Sequence, residues 1–217
     1  TAVPPRTSPR IGAPRPVDLA VDGLPLPRIA RSTSLANLST GASLAMGLAV
    51  FAAAPIRGRP DEIIAGVFML AASITLGLRV ARAGRPARAL PALAALGWTI
   101  QLSAVLVYYY TDIALDARSY HGLAAAYASG AEPLLWPDSN WGVEGIAATL
   151  SLIYRVTGPS MLLGFAMFGA MGLAGKLLVA RTLLESRDVL GQGGEAGAVL
   201  LVSLPSLNIW LAAISKE

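Results

Sequence analysis

The sequence predicts an all-α membrane protein of about five transmembrane helices, with juxtamembrane helices in one long loop. Three observations carry this. First, 54% of the 217 residues are hydrophobic and 14% charged, where a soluble domain carries about 25% charge. Second, the charges are clumped: 40–54, 63–78 and 89–110 hold none. A bilayer core of roughly 30 Å needs about 20 apolar residues as helix, and segments of that order recur along the chain. A secretory leader would explain one such segment, at the very start, and none lies there. Third, arginines flank the apolar segments, as the positive-inside rule expects. That accounts for the net charge of +4, so membrane lipid is the expected partner and nucleic acid is not. The chain has no cysteine, which excludes disulfides, thiolate catalysis and zinc–thiolate sites.

Residues 1–36 read as a disordered Pro/Arg-rich tail: prolines at 4, 5, 9, 14, 16, 25 and 27 deny it helix and sheet ladders, and little apolar surface offsets ordering entropy. Three transmembrane helices follow within 37–110, near Leu38–Ile56, Glu62–Val80 and Ala89–Tyr110. The last ends in Tyr108-Tyr109-Tyr110, an interfacial aromatic belt. The tail and Arg79, Arg82, Arg85 and Arg88 fall on one side, expected to be cytoplasmic, which makes this a multi-pass cell-membrane protein with its N-terminus inside. The turn at 57–61 then faces outward with two arginines, the one loop at odds with the rule. Residues 111–158 form an extracytoplasmic loop, acidic on balance, with Trp136 and Trp141 at headgroup depth. Within it Val143–Val156 is short for a span and reads as a helix in the interface plane. Two further spans are expected in 159–217, near Pro159–Leu184 and Ala196–Ile214, joined by a polar, Gly-rich loop at 185–194. Gly164, Gly169, Gly172 and Gly175 mark close-packing faces in the first of these. The ending at Glu217, directly after an apolar segment, leads to the expectation of an N-terminal portion of a longer chain, inactive by itself.

The chemistry is expected in the outer loop. In a helix, Asp112, Asp116 and Tyr120 share one face. Two carboxylates at a low-dielectric boundary perturb one another's titration, and such a group can take a proton from an alcohol or hold a hard cation. A divalent metal therefore remains open as a cofactor, although no ligand set is named. The plain alternative is that these are solvated loop charges. His121, the sole histidine, reads equally as a hydrogen-bonding neighbour, and the tryptophans and tyrosines as interface anchors. Gly191-Gln-Gly-Gly194 follows no strand, so a phosphate cradle is not supported.

Asp116-Ala-Arg-Ser-Tyr120, then Ala124 and Ser129-Gly130, resembles the first outer loop of membrane glycosyltransferases of the GT-C class, in particular the protein mannosyltransferase and aminoarabinose transferase-like group. Gly145–Gly158 followed by Pro159-Ser160 is similar to that family's second juxtamembrane helix. Leu204-Pro-Ser-Leu-Asn-Ile-Trp-Leu-Ala-Ala-Ile-Ser-Lys-Glu217 resembles a stretch of its actinobacterial members. The resemblance spans about 95–217. It departs at Ala117, where the family usually has a second acidic residue, and at Leu211-Ala-Ala213, where it has Pro-Ser-Ser. These departures weaken metal binding at Asp116 and activity of this copy as expectations.

The resemblance implies an inverting glycosyltransferase that moves a sugar from a polyprenyl-phosphate donor to a glycan or protein hydroxyl on the outer face. Asp116 would be the general base, with Asp112 either assisting or shaping the site. Tyr120, His121, Lys216 and Glu217 would bind substrate, Lys216 neutralising the phosphate. The rival readings are a transporter or flippase-like protein, in which the carboxylates line a path, and a non-catalytic membrane subunit.

Overall fold

The computed structural model describes residues 33–83, 89–111, 115–134 and 142–204. Within them the chain is helical: α1 (Thr33–Ile56), α2 (Asp61–Arg82), α3 (Ala89–Thr111), α4 (Leu115–Ser129), α5 (Val143–Thr157), α6 (Met161–Glu185), the single turn α7 (Arg187–Leu190) and α8 (Gln192–Ser203). Four of these, α1, α2, α3 and α6, are long and apolar enough to cross a membrane. Their outer surfaces agree with that. Leu48, Phe51, Val67, Ile74, Val107, Met171 and Leu178 are all exposed, a spread of apolar side chains that water would not tolerate and lipid does. This is an all-α, membrane-embedded protein.

Each span ends for a local reason. α1 and α2 form an antiparallel hairpin closed by Arg57-Gly-Arg-Pro60; Pro60 caps α2, and Asp61 and Glu62 in the first turn suit its positive dipole end. α1 and α2 pack along their length, closely enough that a Cβ on Gly66 would lie 2.8 Å from the Phe51 backbone nitrogen. Ser160 caps α6, its hydroxyl accepting from the Leu163 N–H at 3.2 Å, which satisfies an otherwise unpaired donor.

One core cluster runs through α1 to α6 and α8, with Val50, Met69, Trp98, Leu102, Tyr120, Tyr154 and Phe165 among its members. Polar ties cross it. The Trp98 indole donates to Ser73 Oγ at 3.0 Å, and the Thr99 hydroxyl donates to the Ser39 carbonyl at 2.7 Å. Lys176 Nζ, buried in α6, donates to Gln101 Oε1 of α3 at 3.2 Å. A smaller cluster of Ala36, Val80, Ala92 and Ala95 joins the start of α1, the end of α2 and the start of α3 at one end of the bundle. The opposite end gathers the end of α1, the start of α2, the end of α3 and the start of α6, with α4 and α5 packed on each other there.

Several boundaries differ from expectation. α1 begins at Thr33 rather than after residue 36, because Ala36 is already buried against Val80 and the start of α3. The expected loop at 185–194 is largely helical: α7 is one turn, and Gln192 already starts α8. Glycine content argued for a loop, but Gly194, Ala198 and Val202, four residues apart, form a buried face on α6. Of the glycines expected to pack in α6, Gly169 does meet Gln101, whereas Gly175 has nothing near it; six positions separate them, which turns a helix by roughly 240°. α5, at 15 residues, would be about 22 Å long at 1.5 Å per residue, too short to span, and only its Ala147, Ala148, Leu150, Ser151 and Tyr154 face is buried. The expected fifth span is described only as far as Leu204, so its remainder lies outside the described residues, as do the tail at 1–32, Arg85, Arg88, Trp136 and Trp141.

Candidate functional site

The charged turn of the first hairpin lies against the aromatic end of α3. Glu62 is fully buried, and three donors surround its carboxylate. Tyr109 Oη donates to Oε1 at 2.9 Å and Tyr110 Oη to Oε2 at 3.3 Å. Arg59 Nη1 donates to Oε1 at 3.2 Å and to Tyr109 Oη at 3.1 Å. A buried carboxylate needs this degree of satisfaction. The Arg59 guanidinium is held above its usual range by Tyr109 and then by Glu62. Arg57 sits over the Tyr110 ring, 4.8 Å from its centre. The turn expected to break the charge rule is tied into tertiary contacts, and the tyrosines at the end of α3 serve as its hydrogen-bonding wall.

Beside this cluster opens a cavity of about 480 Å³, lined by Arg59, Asp61, Tyr109, Tyr110, Arg118, His121 and Met161. Four elements and one turn supply these groups: the α1–α2 turn, the start of α2, the end of α3, α4 and the start of α6. Its size falls within the usual range of small-molecule sites. Two guanidinium groups and one carboxylate line it, so the lining suits a ligand with an anionic part and hydrogen-bonding hydroxyls. Deeper in, His121 Nδ1 lies 2.8 Å from the Tyr154 hydroxyl of α5, with the two rings edge to face at 5.4 Å. Burial pushes the His121 imidazole below its ordinary value while the Asp61 charge pulls it upward. Burial, and then the same Asp61 charge, push the Tyr154 phenol up, so it remains protonated.

Of the residues singled out from sequence, His121 lines this cavity. Asp116 is exposed in the first turn of α4 and is absent from the lining. Arg118 does line it, two positions on, and two positions turn a helix by roughly 200°. Tyr120 is buried in the core at 4% exposure, packed rather than open to a ligand. Asp112, Lys216 and Glu217 lie outside the described residues, so the shared face of Asp112, Asp116 and Tyr120 is not seen as one helix; in α4, Asp116 and Tyr120 differ sharply in burial. Among the described residues no group of three or more histidines and carboxylates is placed to hold a metal.

Reading from sequence missed Arg59, Asp61, Arg118 and Tyr154. One signal pointed at the first two. Arginines in a short loop on the side expected to be poor in them need a reason, and the tertiary structure supplies it. The fold and site define a membrane-embedded helical protein with a charged cavity where its spans meet their juxtamembrane helices. No family model, curated protein or solved structure matches this chain.

Proposed function

We propose that the chain belongs to an integral membrane glycosyltransferase that moves a sugar from a polyprenyl-phosphate donor to the hydroxyl of a glycan or protein acceptor on the extracytoplasmic face. One observation carries the reading most: a cavity at the ends of the apolar spans that holds two guanidinium groups and a carboxylate together. At that depth a donor with its lipid tail in the membrane presents its phosphate and sugar, and an acceptor arrives from water. The α4–α5 pair, inserted between α3 and α6, adds support, since it occupies the place of the two juxtamembrane helices that the motif resemblance implies.

The lining supplies a specific carboxylate. Asp61 would take the proton from the acceptor hydroxyl as its oxygen attacks the anomeric carbon. The new C1–O bond forms on the face opposite the breaking bond, and the C1–O bond to phosphate breaks with its electron pair leaving on polyprenyl phosphate. Arg59 and Arg118 would stabilise the charge that develops on the leaving group. This moves the base from Asp116, the residue the motif names, to the carboxylate that faces the cavity. In the full-length polypeptide, Asp61→Asn is expected to lower donor-dependent transfer by about 10² or more with expression retained, and Asp116→Asn to lower it far less. Loss confined to Asp116→Asn would return the base to α4, full transfer in both variants would remove both carboxylates as the base, and no donor-dependent transfer by the unsubstituted polypeptide would remove the transferase reading.

A second reading, transport, has one observation in its favour. Lys176, buried within a membrane-crossing helix and bonded to Gln101, is the kind of intramembrane group that marks substrate or ion paths. Flux of a charged solute that depends on Lys176 and not on Asp61 would favour it.

A further inference from the structure

The chain contains one histidine, and the fold places it where its ring nitrogens face different surroundings. Nδ1 meets the Tyr154 hydroxyl at 2.8 Å; Tyr154 is 2% exposed, and its hydroxyl has His121 as its one hydrogen-bond partner among the described residues. His121 also lines the cavity, which leaves Nε2 as the nitrogen available there. Two arrangements satisfy the 2.8 Å contact. If Nδ1 carried the proton and donated to the phenol oxygen, the buried phenol proton would lack an acceptor, which buried polar groups rarely do. If the phenol donates to Nδ1, both groups are satisfied and the imidazole proton sits on Nε2. Protonating the ring fully would orphan the phenol proton in the same way.

We propose that His121 is a neutral imidazole whose Nε2–H is a hydrogen-bond donor to an anionic phosphate-ester oxygen bound in this cavity, with Tyr154 the positioning residue that fixes the tautomer. The ligand class rests on the transferase reading; the tautomer rests on geometry alone. The charged and titratable groups that face His121 fit a neutral donor. Burial opposes the cation and Asp61 favours it, Tyr109 and Tyr110 are engaged with Glu62, Arg59 and Arg118 also line the cavity, and α6 contributes only Met161. Arg59 and Arg118 line the cavity with Asp61, and Arg59 is also paired with the buried Glu62, so a phosphate would meet guanidinium donors that are already partly balanced. A neutral N–H adds directionality without a third cation and stays a donor while the ring is unprotonated. The lowering of the His121 pKa by burial keeps that form dominant at neutral pH.

Ring-nitrogen signals of His121 measure this directly. In the full-length polypeptide in nanodiscs, labelled with ¹⁵N-histidine and with the His121 signals assigned by their loss in His121→Gln, ring-nitrogen NMR at pH 7 should show the neutral Nε2–H tautomer, titrating below the ordinary value of about 6.5. Farnesyl phosphate should shift the Nε2 signal. Inorganic phosphate should shift it too if the headgroup alone is recognised, and leave it unmoved if the lipid is needed. Tyr154→Phe should move the titration upward and mix the tautomers. Because that variant opens a buried hydrogen bond, a second pair guards against misfolding. His121→Gln, whose amide reaches the Nε2 position, should keep farnesyl phosphate binding, and His121→Asn, whose amide stops near Nδ1, should weaken it at least roughly tenfold. The Nδ1–H tautomer, an imidazolium at pH 7, equal loss in the Gln and Asn variants, or no response to either phosphate probe would overturn the proposal. The transferase reading fails separately, if the unsubstituted full-length polypeptide shows no donor-dependent transfer.

Discussion

The turn between α1 and α2 and the first turn of α4 both place charge at the same end of the bundle, and the fold uses them in opposite ways. In the hairpin turn every charged side chain meets tertiary structure. Glu62 is buried under two tyrosine hydroxyls and Arg59, Arg57 covers a tyrosine ring, and Asp61 and Arg59 line the cavity. In α4, Asp116 stands exposed, although it sits in the more suggestive motif. The lesson concerns neighbours. A charge on a short turn has no room to lie flat on its own helix, and when a neighbouring span ends in tyrosines it is drawn in. A charge at the start of a helix whose buried face runs through Ala117, Tyr120, Ala124 and Tyr127 is directed by that face, and Asp116 is not part of it.

This contrast can be broken most directly at Glu62. Glu62→Ala strips acceptors from two tyrosine hydroxyls and an arginine; a loss of about 3 kcal/mol is expected, read as a lowered unfolding midpoint in detergent. A loss below about 1 kcal/mol would mean that water serves those donors and the cluster is not a fixed wall. Next comes the hairpin's own closeness. Gly66→Ala forces a methyl onto the Phe51 backbone and should cost about 1–3 kcal/mol. Gly175→Ala, with open space around it, should be neutral or slightly stabilising, since alanine is the better helix former by about 1 kcal/mol. Equal effects at the two glycines would show that α1 and α2 are not in tight contact. The smallest effect is expected at Asp116. Asp116→Asn should change stability by no more than about 0.5 kcal/mol in the same detergent series, and a larger loss would reveal a partner for it.

The order of α1, α2, α3, α5 and α6 was legible from residue type alone. A stretch of some twenty apolar residues without charge has no stable place in water, and proline, glycine and arginine mark where it must stop. The amphipathic spacing of Ile146, Leu150 and Tyr154 also told apart a helix that packs by one face from one that spans. What local pattern left open was where it met tertiary context. The Gly-rich 185–194 segment became helix because α6 offers a surface that small residues fit. The site depended on tertiary structure more strongly still. Asp61, Arg118, His121 and Tyr154 lie on three helices as far as 93 positions apart in sequence, and no spacing rule links them. Which carboxylate faces the cavity, and which nitrogen of His121 carries its proton, is set by the rotation of α2 and α4 about their axes. The packed core decides that rotation, because a turn of one helix by a single residue, roughly 100°, would exchange a buried side chain for one that lines the cavity.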